Sequence, residues 1–152
     1  MKIYADTSVF GGVFDEQFAE HSQKFFDEVS HGRYALVISA IVQDEIDSGA
    51  PDDVRQFFED TTGAAQMVRL TPKIVRLRNA YLDAGIVTEK SVEDAAHVAA
   101  ATVNGCEAIV SWNFKHIVHF DKIQKYNAVN ELNGYTRIAI CSPIEVLYYG
   151  DS

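Results

Sequence analysis

Apolar residues along this chain gather into short, nearly continuous runs separated by longer amphipathic stretches. Runs at 2–5 (KIYA), 35–39 (ALVIS), 66–70 (QMVRL), 108–111 (AIVS) and 137–140 (RIAI) are the predicted strands. They are short and nearly continuous, the pattern of strands buried on both faces. Helices are predicted between them. The segment 18–29 carries Phe18, Phe25, Phe26 and Val29 as apolar positions, and 40–47 follows Ser39, a residue suited to capping. Pro51 opens a helix to residue 59, with Asp52 and Asp53 in its first turn, where the helix dipole favours acids. Pro72 precedes a helix at 73–84, which Gly85 stops. The segment 91–103 is the strongest helix, with AAHVAAA at its centre and Asn104–Gly105 at its end. After the first strand, Thr7, Ser8 and Gly11–Gly12 read as a turn. YNAVNELNGY at 126–135 reads as an irregular or helical surface segment with no assignable chemistry. Strands alternating with helices predict an α/β fold, a parallel sheet of about five strands covered on both faces.

With no low-complexity tract, repeat or linker-like stretch, the 152 residues are expected to form a single domain, 1–152. Hydrophobic residues make up 47% of the chain, yet no run approaches the ~20 apolar residues that span a membrane. The opening MKIYADTSV has one Lys, and its apolar stretch stops at Asp6, short of the ~7–15-residue core of a signal peptide. Cys106 and Cys141 sit beside apolar runs, with neither a disulfide framework nor a zinc-type pair spacing. A cytoplasmic protein is expected. Thirteen basic against twenty-two acidic residues give a net charge of −9, which argues against coating a polyanion. It is compatible with an acidic cleft carrying divalent cations, which invert the local sign, or with a basic partner chain. Solubility alone would explain it equally well.

The acids become informative when placed on these elements. Asp6 ends the first strand, Glu45 lies in the helix after the second, Asp94 occupies the first turn of the Ala-rich helix, and Asn113 follows the fourth strand. In a parallel α/β sheet, strand carboxyl ends and the following helix N-termini share one edge, where such folds place their sites. Asp6, Asn113 and the start of the Glu45 helix are therefore expected together, and Asp94 joins them if its helix begins at that edge. Oxygen-only donors select hard cations such as Mg²⁺ or Mn²⁺. Each residue also has a purely structural account. Asp6 could cap a turn or helix, Glu45 could be an exposed acid beside Asp44 and Asp47, Asp94 could complement the helix dipole, and Asn113 could hold a turn.

In order along nearly the whole chain, DTSV after the first strand, the Glu45 helix, EDAAHVAAA and SWNFKH resemble a PIN domain. Among PIN domains the chain is similar to the VapC-type toxin ribonucleases. The resemblance implies an α/β/α sandwich and RNA cleavage with Mg²⁺ or Mn²⁺, the metal held by Asp6, Glu45 and Asp94 with Asn113 as a fourth group. It also implies a cognate antitoxin partner and a homodimer. Many relatives carry Asp at the place of Asn113, so occupancy of a second metal is the doubtful part of the carry-over. Ser8 would line the same loop and bond a carboxylate or phosphate, while Thr7 is expected to cap the turn.

Other residues carry weaker readings. His97, one turn after Asp94, either meets the cleft or packs. His116 and His119 flank Lys115 and Phe120 in a stretch suited to RNA contact or to solvated surface, and Trp112 either stacks on a base or belongs to the core. Phe10, Phe14, Phe18, Phe25 and Phe26 are expected mostly in the core, any excess forming a dimer or antitoxin groove. Two other functions compete: a PIN-like module that binds RNA or protein without catalysis, and a phosphatase of the haloacid dehalogenase type. The second needs another Asp two residues after the nucleophile, where this chain has Ser8.

Overall fold

The computed structural model describes residues 1–148; the last four positions of the expected domain lie outside them. Five strands form one parallel sheet: β1 (Lys2–Ala5), β2 (Ala35–Ser39), β3 (Gln66–Val68), β4 (Ala108–Val110) and β5 (Ala139–Cys141), in the order β3-β2-β1-β4-β5. The helices are α1 (Thr7–Gly12), α2 (Ala19–Ser30), α3 (Ala40–Gly49), α4 (Asp52–Thr61), α5 (Pro72–Asp83), α6 (Val92–Val103), α7 (Phe120–Leu132) and α8 (Pro143–Tyr148), with a 3₁₀ turn at Glu89–Ser91 before α6. Together they make the expected three-layer α/β/α sandwich. In one layer α1 packs on α2 and α4, and α2 on α8; in the other α5 packs on α6 and α7. Among the described residues no helix is long and apolar enough to cross a membrane.

β1 is the central strand, and Ile3, Tyr4 and Ala5 have no exposed surface. That explains its unbroken apolar run, since both faces are covered. In α6, every residue from Ala95 to Thr102 is buried. Its alanines let neighbouring elements approach closely while keeping high helix propensity. Both cysteines are free, and burial pushes the thiol of Cys106 up to about 11 and that of Cys141 up to about 12.

Three predicted strands shift: β3 ends at Val68, β4 at Val110, and β5 begins at Ala139. Two larger corrections concern helices. The stretch after β1 is a short helix, α1, instead of a turn. The Gly pair misleads because Gly12 is small for packing and not for turning: a Cβ there would lie 2.6 Å from Ser22 Oγ and 2.7 Å from Trp112 Nε1. The 126–135 segment is mostly α7, the helical alternative, and only one side of it is surface: Ala128 and residues 131–134 are exposed. Tyr126, Asn127 and Asn130 are buried. Asn127 donates to Ile138 O at 3.0 Å and accepts from Ile138 N at 2.8 Å. Tyr81 Oη donates to Asn130 Oδ1. Buried amides with such partners are core residues, whatever their polarity suggests.

Candidate active site

Asp6 reaches the site because β1 ends beside β4. Ala5 pairs with Val110, and Asp6 N–H donates to Val110 O at 3.2 Å, which sets Asp6 next to Ser111. The structural account of Asp6 holds. Asp6 is the N-cap of α1, accepting from Ser8 N at 3.1 Å, and its side chain also takes part in the acid cluster. Ser8 Oγ donates to Oδ1 and Ser111 Oγ to Oδ2, each at 2.6 Å. The carboxyl is 4% exposed. Burial raises its pKa, against the charge of His97 and the two serine hydrogen bonds.

Glu45 projects from α3 and is half-buried. Its Oε1 accepts from His97 Nε2 at 2.6 Å and from Thr7 Oγ1 at 3.1 Å. Burial works to raise its pKa, but the hydrogen bond and charge of His97, with the bond from Thr7, hold it below the ordinary carboxylate value. Thr7 therefore does not cap the turn as expected. Asp6 is the cap, and the Thr7 hydroxyl is turned to Glu45.

Asp94, in the first turn of α6, joins the same cluster. Burial raises its pKa, opposed by the charges of His97 and His116 and by a side-chain hydrogen bond with Asn113, while Glu45 pushes it further up. Asn113 lies just beyond β4. Its Oδ1 accepts from Lys115 N at 3.2 Å and His116 N at 2.9 Å. So Asn113 holds a turn and touches the acid cluster at once.

His97 is the residue the sequence reading undervalued. It is 3% exposed and lies at the centre of the cluster. Its Nε2 meets Glu45, and its Nδ1 lies 2.7 Å from Tyr4 Oη, which is 2.6 Å from Ser39 Oγ. Burial disfavours its charge, but the Glu45 hydrogen bond and the charges of Asp6, Glu45 and Asp94 outweigh it and raise its pKa. When His97 is protonated, both ring nitrogens donate, to Glu45 and to Tyr4, and the Tyr4 hydroxyl passes its own hydrogen to Ser39. Ser39, expected as a helix cap, makes no side-chain cap bond; its hydroxyl belongs to this relay. Two local signals point to these residues: Asp94 and His97 are three apart on one helix, and Tyr4 and Asp6 are two apart along one strand direction.

The weaker candidates resolve as follows. Trp112 is core: buried, stacked on Phe18 at 4.3 Å, and donating from Nε1 to Ser22 at 2.8 Å. His116 faces Asp94 electrostatically, and its carbonyl accepts from Tyr126 Oη at 2.8 Å. Phe114 and Phe120 are the exposed aromatics near it. Phe10, Phe25 and Phe26 are buried and Phe14 is exposed.

The donor types suit a hard divalent cation, since Asp6, Glu45 and Asp94 offer only oxygens. The arrangement is not that of a preassembled cage. Among the described residues no three His, Cys, Asp or Glu side chains form a group placed to hold one ion. Each acid instead has its own protein donor: serines for Asp6, His97 and Thr7 for Glu45, and Asn113 for Asp94.

No family model matches the chain, and no curated protein does. Among solved structures, the chain is similar to a chain in a crystal structure of VapBC2 from Rickettsia felis bound to a DNA fragment from their promoter. The TM-score is 0.56 at 14% sequence identity, over 76% of this chain and 90% of that chain. That likeness is one of fold: helices layered on a parallel sheet whose carboxyl edge here carries Asp6, Ser111 and Asn113.

Proposed function

We propose that this protein is a Mg²⁺- or Mn²⁺-dependent endoribonuclease that cleaves RNA phosphodiester bonds, the toxin half of a toxin–antitoxin pair. The observation that supports it most is that Asp6, Glu45 and Asp94, from distant parts of the chain, all lie close enough to the buried His97 for their charges to act on it, with Nε2 of His97 2.6 Å from Glu45. Glu45 acts on both aspartates as a like charge, which raises the cost of keeping all three ionised without a cation. The motif resemblance and the fold likeness to VapBC2 support the toxin role, with an antitoxin and a second copy of the chain as partners in the cytoplasm.

The chemistry a bound Mg²⁺ or Mn²⁺ would supply is a polarised phosphoryl oxygen and an acidified water. The chain's own groups prepare for it. Ser8 and Ser111 fix both oxygens of Asp6, His97 and Thr7 orient Glu45, and Asn113 steadies Asp94. A bound ion would have to draw the carboxylates away from some of these partners, since among the described residues they are not grouped around one point.

Cleavage of single-stranded RNA in Mn²⁺ by the wild type and by Asp94→Asn tests the reading. Loss of cleavage in the variant with an unchanged circular dichroism spectrum is expected, because one ligand charge goes and the shape stays. Equal rates would make Asp94 a helix-dipole residue and remove the cluster. The protein donors on every acid favour a second reading, a PIN-like module that binds RNA or protein without cutting. RNA binding with no metal-dependent cleavage by the wild type would select it.

A further inference from the structure

The two glycines that end α1 answer to different needs. Packing excludes any side chain at Gly12, whereas a Cβ on Gly11 would meet nothing within 4 Å. Gly11 is not in the left-handed region either. Glycine inside a helix is destabilising relative to alanine, so neither packing nor backbone conformation accounts for it. Gly49, the last residue of α3, shares both properties.

Both glycines line one open groove of about 410 Å³, between α1 and the α3–α4 corner. Thr7, Ser8 and Glu45 also line it, so it is continuous with the acid site, and Pro51 and Val54 extend it along α4. Glu45 is the single ionisable group among its lining residues, and no Lys or Arg is among them. In the metal-free protein a phosphate here would face a carboxylate with no cationic side chain to offset it. A neutral, flat group with polar edges meets apolar walls and two hydroxyls instead. Beyond Gly11, Phe14 N–H bonds to Gly11 O at 3.2 Å. Phe14 is 49% exposed, and its ring meets Phe57 edge to face at 6.0 Å. Phe57 lies three residues past Val54 on α4, so the aromatic pair continues the direction of the groove. Exposed aromatic faces are the platforms on which successive bases stack.

We propose that this groove holds the nucleobase adjoining the scissile phosphate of an RNA strand, Gly11 and Gly49 being kept bare to admit it. The strand part of the proposal rests on the ribonuclease reading; the base-binding part does not. The test titrates the ¹⁵N-labelled full chain with cytidine and adenosine, and separately with inorganic phosphate. The nucleosides should shift the amides of Thr7, Gly11 and Gly49, and phosphate should not. Gly11→Leu, which has room to fold, should abolish the shifts at Thr7 and Gly49. Gly63→Leu, at another open glycine away from the groove, should keep them. On single-stranded RNA in Mn²⁺, Gly11→Leu should lower kcat/KM about tenfold, the size of one lost base contact, mainly through KM.

Absence of nucleoside shifts, shifts produced by phosphate, or shifts that persist in Gly11→Leu would overturn the proposal. So would shifts of these amides by an apolar peptide with none from nucleosides, which would give the groove to a protein segment. If the wild type cleaves RNA no faster than Asp94→Asn, the ribonuclease reading falls and the titration alone decides the groove.

Discussion

Tyr4→Phe tests whether the relay behind the acid site holds it in place. The ring of Tyr4 has no exposed surface, so phenylalanine fills the same volume and only the hydroxyl is lost. That oxygen lies 2.6 Å from Ser39 Oγ and 2.7 Å from His97 Nδ1. Ser39 is 2% and His97 3% exposed, so water cannot readily replace it. Leaving a buried polar group unpaired costs about 1–3 kcal/mol. Ser39 is a rotor that can turn its hydroxyl, whereas the His97 ring is pinned on its other side by Glu45. A loss of about 2 kcal/mol follows, the middle of that range. For a chain of this length each kcal/mol moves Tm by roughly 2–4 °C, so a fall of about 4–8 °C is expected. Thermal unfolding followed by far-ultraviolet circular dichroism, with a urea titration for the free energy, reads it directly. A Tm within about 1 °C of the wild type would refute the relay, since that is less than the cost of a single orphaned group.

Mg²⁺ or Mn²⁺ should raise Tm, because a ligand of the folded state alone stabilises it; differential scanning fluorimetry should show the shift vanish in the Asp6→Ala/Asp94→Ala variant, and an equal shift in both would place the ion elsewhere. Asn113→Asp should keep the turn acceptor but set a fourth carboxylate against Asp94, lowering metal-free stability while tightening Mn²⁺ binding in calorimetric titration; an unmoved affinity would remove Asn113 from the site. In chelator, Tm should fall as pH rises above about 6.5. The folded pKa of His97 is raised, so its contribution is fully present below the unfolded value and is lost as pH climbs through the folded one. Asp6 and Asp94, raised by burial, act in the same sense from about pH 4 upward, whereas Glu45, lowered, stabilises above its unfolded value and loses that as pH falls. His97→Gln should flatten the decline above pH 6.5, and a wild-type Tm that rises through that window would contradict these signs.

Much of the framework was legible in the chain because it rests on local rules. β1 and β2 stand where the apolar runs predicted them, since strands buried on both faces leave no other pattern. Pro72 and Gly85 bracket α5 through fixed φ and a left-handed turn, properties of those residues alone. That Asp6, Asn113 and the start of α3 share one sheet edge follows from α/β topology once the elements are known, whereas Asp94 depended on where α6 begins.

What the tertiary structure decided is every role that needs a distant partner. Gly11 and Gly12 are identical letters, and only the proximity of Ser22 and Trp112 tells them apart. Asn127 and Asn130 look like surface residues until Ile138 and Tyr81 supply their hydrogen bonds. His97 on an alanine-rich helix carries one local signal, its spacing of three from Asp94, and that does not name its partners. It becomes the centre of the acid cluster because the sheet brings Tyr4 and the α3 turn brings Glu45, 93 and 52 residues away, to its two nitrogens. Hydrophobic periodicity reports which face of an element is buried. It does not encode which polar group waits on the other side, and that pairing is settled only when the layers close.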